Sequence, residues 1–340
     1  MKSTKRNSIR GPLLRSVSRS FYLSLRFLPT ALRDPLSLAY LLARATDAIA
    51  DTTEPAVALR KEALRDLAAA IQGTAAKETA DRLSKSFAPL QSDESERSLI
   101  EELPGLLEWL QKLPAGDRNE VRDVLAKINR GQSLDLERFG TGDEIRALKN
   151  AAELDEYTYL VAGCVGEFWT RLCFAHVKNF TERAEAEMRE LGVSYGQGLQ
   201  LINILRDAGD DLRSGRCYFP ADELKSLGLT PAEILREPAR FEPVLAKWRE
   251  KAGQGTEAGI EYAGAIRNRR VRFATALPAK IGVRTLTLLR EAGPDALVRR
   301  VKVPRAEVRK MILSSALALP RSLRTTLEKL QGAAVYKPPF

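Results

Sequence analysis

At 340 residues the chain exceeds the length at which single cores commonly divide, so one large domain or two ordinary ones are both admissible. Ala, Leu, Arg, Glu and Lys dominate, and straight-chain side chains lose little rotamer freedom in a helix, so the expected class is all-α. A net charge of +10 points to anionic partners, namely nucleic acid, anionic lipid headgroups or a phosphorylated substrate. One histidine and three cysteines without C-x-x-C spacing argue against zinc sites and disulfides and predict a reducing cytoplasm.

The basic start leads into no apolar core of signal-peptide length, and charges interrupt every later apolar stretch before it could span a bilayer. Neither export nor a transmembrane helix is expected, and any membrane contact would be peripheral. From Pro35 to Ile49 the segment PLSLAYLLARATDAI is apolar on several faces, which predicts a buried helix opened by its proline and carrying Arg44, Asp47 and Asp51 late. Residues 56–130 place Leu and Ala at helical spacing between charged faces and are broken by Pro89, Pro104 and Pro114, which predicts several shorter helices.

EYTYLVAGCVGEFWTRLCFAHV, residues 156–177, predicts one central helix in which Ala162, Gly163 and Gly166 let another backbone approach closely. GQGLQLINILRDAGDDL, Gly196 to Leu212, predicts a second mostly apolar helix ending in acid, stopped by Ser-Gly-Arg and Pro220. Beyond about residue 223 the pattern is helical and basic, with clusters at 267–273 and 299–305, and the two ends, 1–12 and 331–340, are expected to be loose. No low-complexity linker or fixed repeat divides the chain, which favours a single domain over 1–340.

Asp47 and Asp51 are four residues apart, and so are Asp207 and Asp211, with Asp210 on nearly the same face. Each pair aims two carboxylates at one spot of a helix, where they repel unless a cation lies between them. One such pair alone reads better as a solvated helix end or an ion-pair network with a nearby arginine. Two pairs late in apolar helices, with Arg44 and Arg206 close before them, favour a divalent cation. Magnesium is held by one or two carboxylates while keeping waters and phosphate oxygens, so the pairs suit a bound diphosphate.

The blocks SRSF (Ser18 to Phe21), YLLARATDAIAD (Tyr40 to Asp51), YTYLVAGCVG (Tyr157 to Gly166) and LQLINILRDAGDDLRSGRCYFP (Leu199 to Pro220) resemble, in order, those of the squalene/phytoene synthase family over residues 13–310. The resemblance implies an isoprenoid-synthase-type helical bundle around a central cavity. It implies Asp47, Asp51, Asp207, Asp211 and Asp210 as magnesium ligands, and Ser18, Arg19, Ser20, Tyr40, Arg44, Gln200, Asn203 and Arg206 as contacts of diphosphate or metal. It implies Phe21 against the developing carbocation and Tyr157 at the proton lost when a cyclopropane closes.

The implied reaction joins two farnesyl diphosphates head to head, and NADPH then reduces the product in the squalene branch but not in the phytoene or dehydrosqualene branch. RNRRVRFATALP (Arg267 to Pro278) resembles a squalene-branch block, with Arg272 and Ala274 where that block carries phenylalanines. No nicotinamide fingerprint is present: Gly140-Thr-Gly142 and Gly196-Gln-Gly198 lack a third glycine and a preceding strand. NADPH enters by resemblance alone. Arg299, Arg300, Lys302 and Arg305 read either as its phosphate contacts or as a solvated basic face. No nucleic-acid module accompanies the basic clusters, so nucleic acid is not expected as a partner, and a non-catalytic assembly factor is the rival from another class. A cytoplasmic enzyme, with any membrane contact at the inner face, is the resulting expectation.

Overall fold

The computed structural model describes residues 12–18, 25–52, 54–139 and 144–316. Helices make up most of it, as the composition predicts, and the chain forms two compact units, one ending at Leu136 and the other beginning at Glu137.

In the first unit, α1 (Leu14–Ser18) is followed by α2 (Thr30–Asp51), α3 (Val57–Gln72), α4 (Ala76–Phe87), α5 (Glu94–Glu101), α6 (Leu103–Lys112) and α7 (Ala115–Phe139), whose last turn enters the second unit. The three prolines read as breaks lie at boundaries: Pro89 in a 3₁₀ turn after α4, Pro104 in the first turn of α6, and Pro114 just before α7. Burial confirms the reading of α2, since Leu38, Leu41, Leu42, Ala45 and Ile49 are all fully enclosed. Pro35 does not open that helix. It lies in the second turn, after a start at Thr30, where its missing N–H costs only one hydrogen bond near the end of the ladder.

The second unit holds β1 (Arg146–Leu148), α8 (Ala151–Thr158), a π-helical turn (Tyr159–Gly163), α9 (Cys164–His176), α10 (Glu185–Arg213), β2 (Arg216–Pro220), α11 (Ala221–Ser226), α12 (Pro238–Ala265), α13 (Arg269–Ala292) and α14 (Arg305–Ala316). The central helix expected over 156–177 is thus two helices that start earlier, at Ala151, and are joined by a π turn. That extra residue per turn is a local widening that periodicity does not report. The close approach predicted for its small residues is present. A Cβ on Gly166 would lie 1.9 Å from the Gly192 carbonyl oxygen, so α9 and α10 meet backbone to backbone.

The helix predicted over 196–212 runs from Glu185 to Arg213, and Leu201, Leu205, Phe219, Phe241 and Trp248 build its core against α12 and β2. Periodicity anticipates no sheet, yet β1 and β2 pair in parallel, Arg146 opposite Arg216, with an irregularity before Leu148. Two strands this short win their ladder from tertiary context, not from propensity. Cys164, Cys173 and Cys217 are buried and form no disulfide with one another. Among the described residues no helix is long and apolar enough to cross a membrane.

Candidate active site

In the first unit the chemistry sits on the last three turns of α2. The Tyr40 hydroxyl donates to the Val17 carbonyl at 3.1 Å, which ties α2 to α1. One turn on, the Arg44 guanidinium bridges Asp47 on its own helix and Glu96 on α5. Asp51 is the last residue of α2 and is exposed. The frayed carbonyls there are met from outside: Arg60 Nη1 donates to the Ala50 oxygen at 2.9 Å, and the Thr52 hydroxyl donates to the Ala48 oxygen at 2.7 Å. Burial, then the Asp51 charge, push the Asp47 carboxyl up to about 6 against the downward pull of Arg44. Water still reaches 43% of that side chain, so the group is crowded without being sealed and stays open to a cation.

In the second unit one face of α10 carries Gln200, Asn203, Arg206 and Asp207, at the three- and four-residue intervals that make helix neighbours. Asn203 Nδ2 donates to Gln200 Oε1 at 3.3 Å, and Arg206 Nη1 donates to Asn203 Oδ1 at 3.2 Å. Arg206 Nε donates to Asp207 Oδ1 at 3.0 Å while Nη2 reaches the other carboxylate oxygen. Arg206 is only 8% exposed, so this fork is what makes its burial tolerable.

Past Asp211 the helix ends, and Gly215, at φ 81, turns the chain into β2, which returns Arg216 to its neighbour: Nη2 lies 2.9 Å from Asp211 Oδ1. Burial raises the Asp211 carboxyl to about 6, Arg216 opposes, and the Asp207 and Asp210 charges add to the rise. Asp210 turns outward instead, 64% exposed, and pairs with Arg213 at 3.0 Å. The structure therefore brings Asp207 and Asp211 together and leaves Asp210 at their edge.

Three residues join the site that the sequence did not single out for it. Glu96 holds the far side of Arg44, Arg216 holds Asp211, and Arg300 Nε lies 3.0 Å from Asp207 Oδ1. In the sequence Arg300 belongs to a basic run that reads either as contacts of NADPH phosphates or as a solvated face, and not as a partner of the acids. It reaches Asp207 because Gly209 has no side chain: a Cβ there would lie 2.0 Å from the Leu297 carbonyl oxygen, and Arg213 Nη2 fastens the same carbonyl at 2.9 Å. Its neighbour Arg299 leans toward Asp295, at 3.8 Å. Arg272 bends back to donate to the Ile266 carbonyl at 2.6 Å, and Phe273 beside it is buried.

Tyr157 lies in the core of the second unit, its ring stacked on Tyr218 at 5.0 Å, with Phe139 edge-on to Tyr218 at 5.1 Å. Arg19, Ser20 and Phe21 lie outside the described residues, as do most of the ends expected to be loose. Ser18 closes α1. Gly196 and Gly198 are interior residues of α10, in keeping with the absence of a nicotinamide fingerprint.

The ion-pair reading of the acids is realised, since Asp47, Asp207, Asp210 and Asp211 each hold an arginine. Among the described residues no cluster of three or more acidic, histidine or cysteine groups forms a ready metal cage. The donor set still fits magnesium. Each pair supplies hard oxygens, and in each one a carboxyl is forced upward by burial and by its neighbour's charge, which is the imbalance a divalent cation relieves.

Architecture places the molecule among the all-α isoprenoid-synthase-type folds. The solved TcSQS complex with the ligand BPH1237 superposes with a TM-score of 0.74 at 20% identity, over 98% of this chain and 93% of that one. Squalene synthase HpnC from Alicyclobacillus acidocaldarius gives 0.58 at 19% identity over 84% and 93%. Residues 14–307 match the squalene/phytoene synthase family, and the chain belongs to that family of prenyltransferases, which act on prenyl diphosphates. A bifunctional lycopene cyclase/phytoene synthase of Phaeosphaeria nodorum is 32% identical over 70% of this chain and 38% of its own length. A squalene synthase of Gibberella zeae is 26% identical over 88% and 62%. The chain thus spans about four to six tenths of the length of these relatives.

Proposed function

We propose that the protein is a squalene synthase, joining two farnesyl diphosphates head to head through a cyclopropylcarbinyl diphosphate and reducing the product with NADPH. The carrying observation is that two Asp-x-x-x-Asp helices, each with arginines laid on the acids, stand in a chain of this family. Asp47 and Asp51, and Asp207 and Asp211 with Asp210 at their edge, would each hold magnesium on a diphosphate. Bound there, the metal would draw negative charge from the leaving diphosphate.

The remaining roles belong to the chain itself. Arg44 and Arg206, with Tyr40, Gln200 and Asn203 around them, would orient diphosphate oxygens, as would Ser18, Arg19 and Ser20. Phe21 would offer a ring face to the allylic cation, whose double-bond partner attacks at carbon 1. Tyr157 would handle the proton lost on ring closure, and the apolar core around it would keep water from the cation. A second ionisation, rearrangement and hydride delivery complete the sequence. In this reading the whole chain acts as one catalytic domain in the cytoplasm, with any lipid contact confined to the membrane surface.

A second reading, a phytoene or dehydrosqualene synthase that loses a proton in place of gaining hydride, is supported by the likeness to the bifunctional lycopene cyclase/phytoene synthase of Phaeosphaeria nodorum. Purified protein incubated with farnesyl or geranylgeranyl diphosphate and magnesium, with and without NADPH, separates the two when the lipid is identified by mass. Squalene formed only with NADPH is the expected result. A polyene formed regardless of NADPH selects the second reading, and no turnover of any prenyl diphosphate selects the assembly factor.

A further inference from the structure

Within the second unit, β2 touches two parts of the site, and the prenyl-transfer reading gives it no task of its own. Its first residue is tied to the acids, because Arg216 Nη2 lies 2.9 Å from Asp211 Oδ1. Its third residue is tied to the tyrosine, because the Tyr218 ring stacks on the Tyr157 ring at 5.0 Å with 27° between their planes. Tyr218 owes that place to the irregular ladder. While β1 advances from Ala147 to Leu148, β2 advances from Cys217 to Pro220, so Tyr218 and Phe219 are carried as extra residues. Extra residues bend a strand and re-aim its side chains. Phe219 meets Phe241 edge-on at 4.9 Å, and Tyr218 is held between Tyr157 and an edge contact with Phe139 at 5.1 Å.

The backbone around Tyr157 is fastened separately. Gln197 on α10 donates from Nε2 to the Asp155 carbonyl at 3.2 Å and to the Thr158 hydroxyl at 3.3 Å, just before the π turn. Gly196 beside it lets the turn dock directly, since a Cβ there would lie 2.3 Å from the Ala162 carbonyl oxygen. Two strands as short as β1 and β2 have little stability of their own, so β2 keeps its place through side-chain ties such as that of Arg216. Of the two stacked rings, Tyr157 therefore stands on the firmer support and Tyr218 on the softer one.

We propose that Tyr218 is a positioning residue for Tyr157, and that β2 links its setting to occupancy of the α10 acids. With Arg216 on Asp211, the two rings rest as described. Arg216, displaced from Asp211 when a magnesium diphosphate binds there, would free the first residue of β2, and the shift would reach Tyr157 through the Tyr218 ring two residues on. Tyr157 is thus set for its proton only with a diphosphate in place. The inference rests on the roles proposed above for Asp211 and Tyr157.

Near-ultraviolet circular dichroism of the full chain, which reports ring packing, tests the link as magnesium and inorganic pyrophosphate are added together and their uptake is followed by calorimetry. The ring signal of the unaltered chain should change on uptake. Arg216→Gln, at a partly exposed side chain, should begin with the signal already moved toward the bound form. Tyr218→Leu should lose the change while still taking up magnesium pyrophosphate, and Tyr218→Phe, which keeps the ring, should retain it. With a prenyl diphosphate, Tyr218→Leu should lower kcat about tenfold with KM little altered, and Tyr218→Phe should restore most of the loss. Unchanged helical circular dichroism shows the variants to be folded, and if Tyr218→Leu fails to fold, Arg216→Gln carries the test of the link alone. Uptake with an unchanged ring signal overturns the proposal and leaves the metal reading standing, as does an Arg216→Gln signal identical to that of the unaltered chain, or a folded Tyr218→Leu with undiminished kcat. No uptake by the unaltered chain overturns the metal role of Asp211 and the proposal with it.

Discussion

Asp51 is the terminal residue of α2, where the helix macrodipole is negative, and its charge adds to the upward pressure on Asp47. Asp51→Asn should therefore stabilise the fold by about 0.3–1 kcal/mol, measurable by denaturant unfolding. If Asp51 binds metal, the same change should lower turnover by about a hundredfold or more. Gain of stability with loss of activity would mark an acid kept for function. Asp47 and Asp211 both ionise near pH 6, above the ordinary carboxylate value of 3.8. The sign is the reverse of that for a salt-bridged acid with a depressed value: ionising them weakens the fold, the weakening is complete above about pH 6, and it vanishes as pH falls through 3.8. Metal uptake needs the ionised forms, so magnesium-dependent turnover should fall on an acidic limb near pH 6, and Asp51→Asn should move the Asp47 contribution to lower pH. At this scale helical spacing alone sets Asp47 beside Arg44 and Asp211 beside Asp207, and Arg206 is the chain neighbour of Asp207, so these juxtapositions were legible in the sequence. Glu96, Arg216 and Arg300 were out of its reach as site residues, because each arrives from another element.

Between elements, the contact of α9 with α10 depends on the absence of a side chain. Gly166→Val would place atoms inside the Gly192 carbonyl, and since both sides are backbone neither can turn away. A loss of about 3 kcal/mol or more is expected from chemical denaturation, together with weakened binding at the α10 carboxylates. The same glycine was legible beforehand as a place of close approach, whereas the π turn of Tyr159–Gly163 and the β1–β2 pair were not. A π turn keeps nearly the same apolar spacing as the helix around it, and a three-residue strand carries no alternation long enough to read. Proline gave uneven guidance for a related reason. It marks a boundary when it falls in a first turn, as Pro104 does, but the second-turn Pro35 sits inside its helix at modest cost.

For the whole chain, composition alone carried the all-α class, and four ordered blocks carried the family. The positive charge that first suggested anionic partners should be felt as a rate. Capture of a diphosphate substrate by a +10 chain should slow as salt screens it, so kcat/KM should fall several-fold between about 0.01 and 0.15 M ionic strength, with kcat little changed.

In the clasp of Arg206, Arg216 and Arg300 on Asp207 and Asp211, each α10 acid already holds at least one guanidinium. A cation drawn to those acids must evict a guanidinium, and an oxyanion drawn to those guanidiniums must strip an acid, so neither enters cheaply alone. Entering together, each takes the group the other has set free. Magnesium and inorganic pyrophosphate titrated singly should therefore bind weakly, and each should sharpen the other's uptake by the same factor.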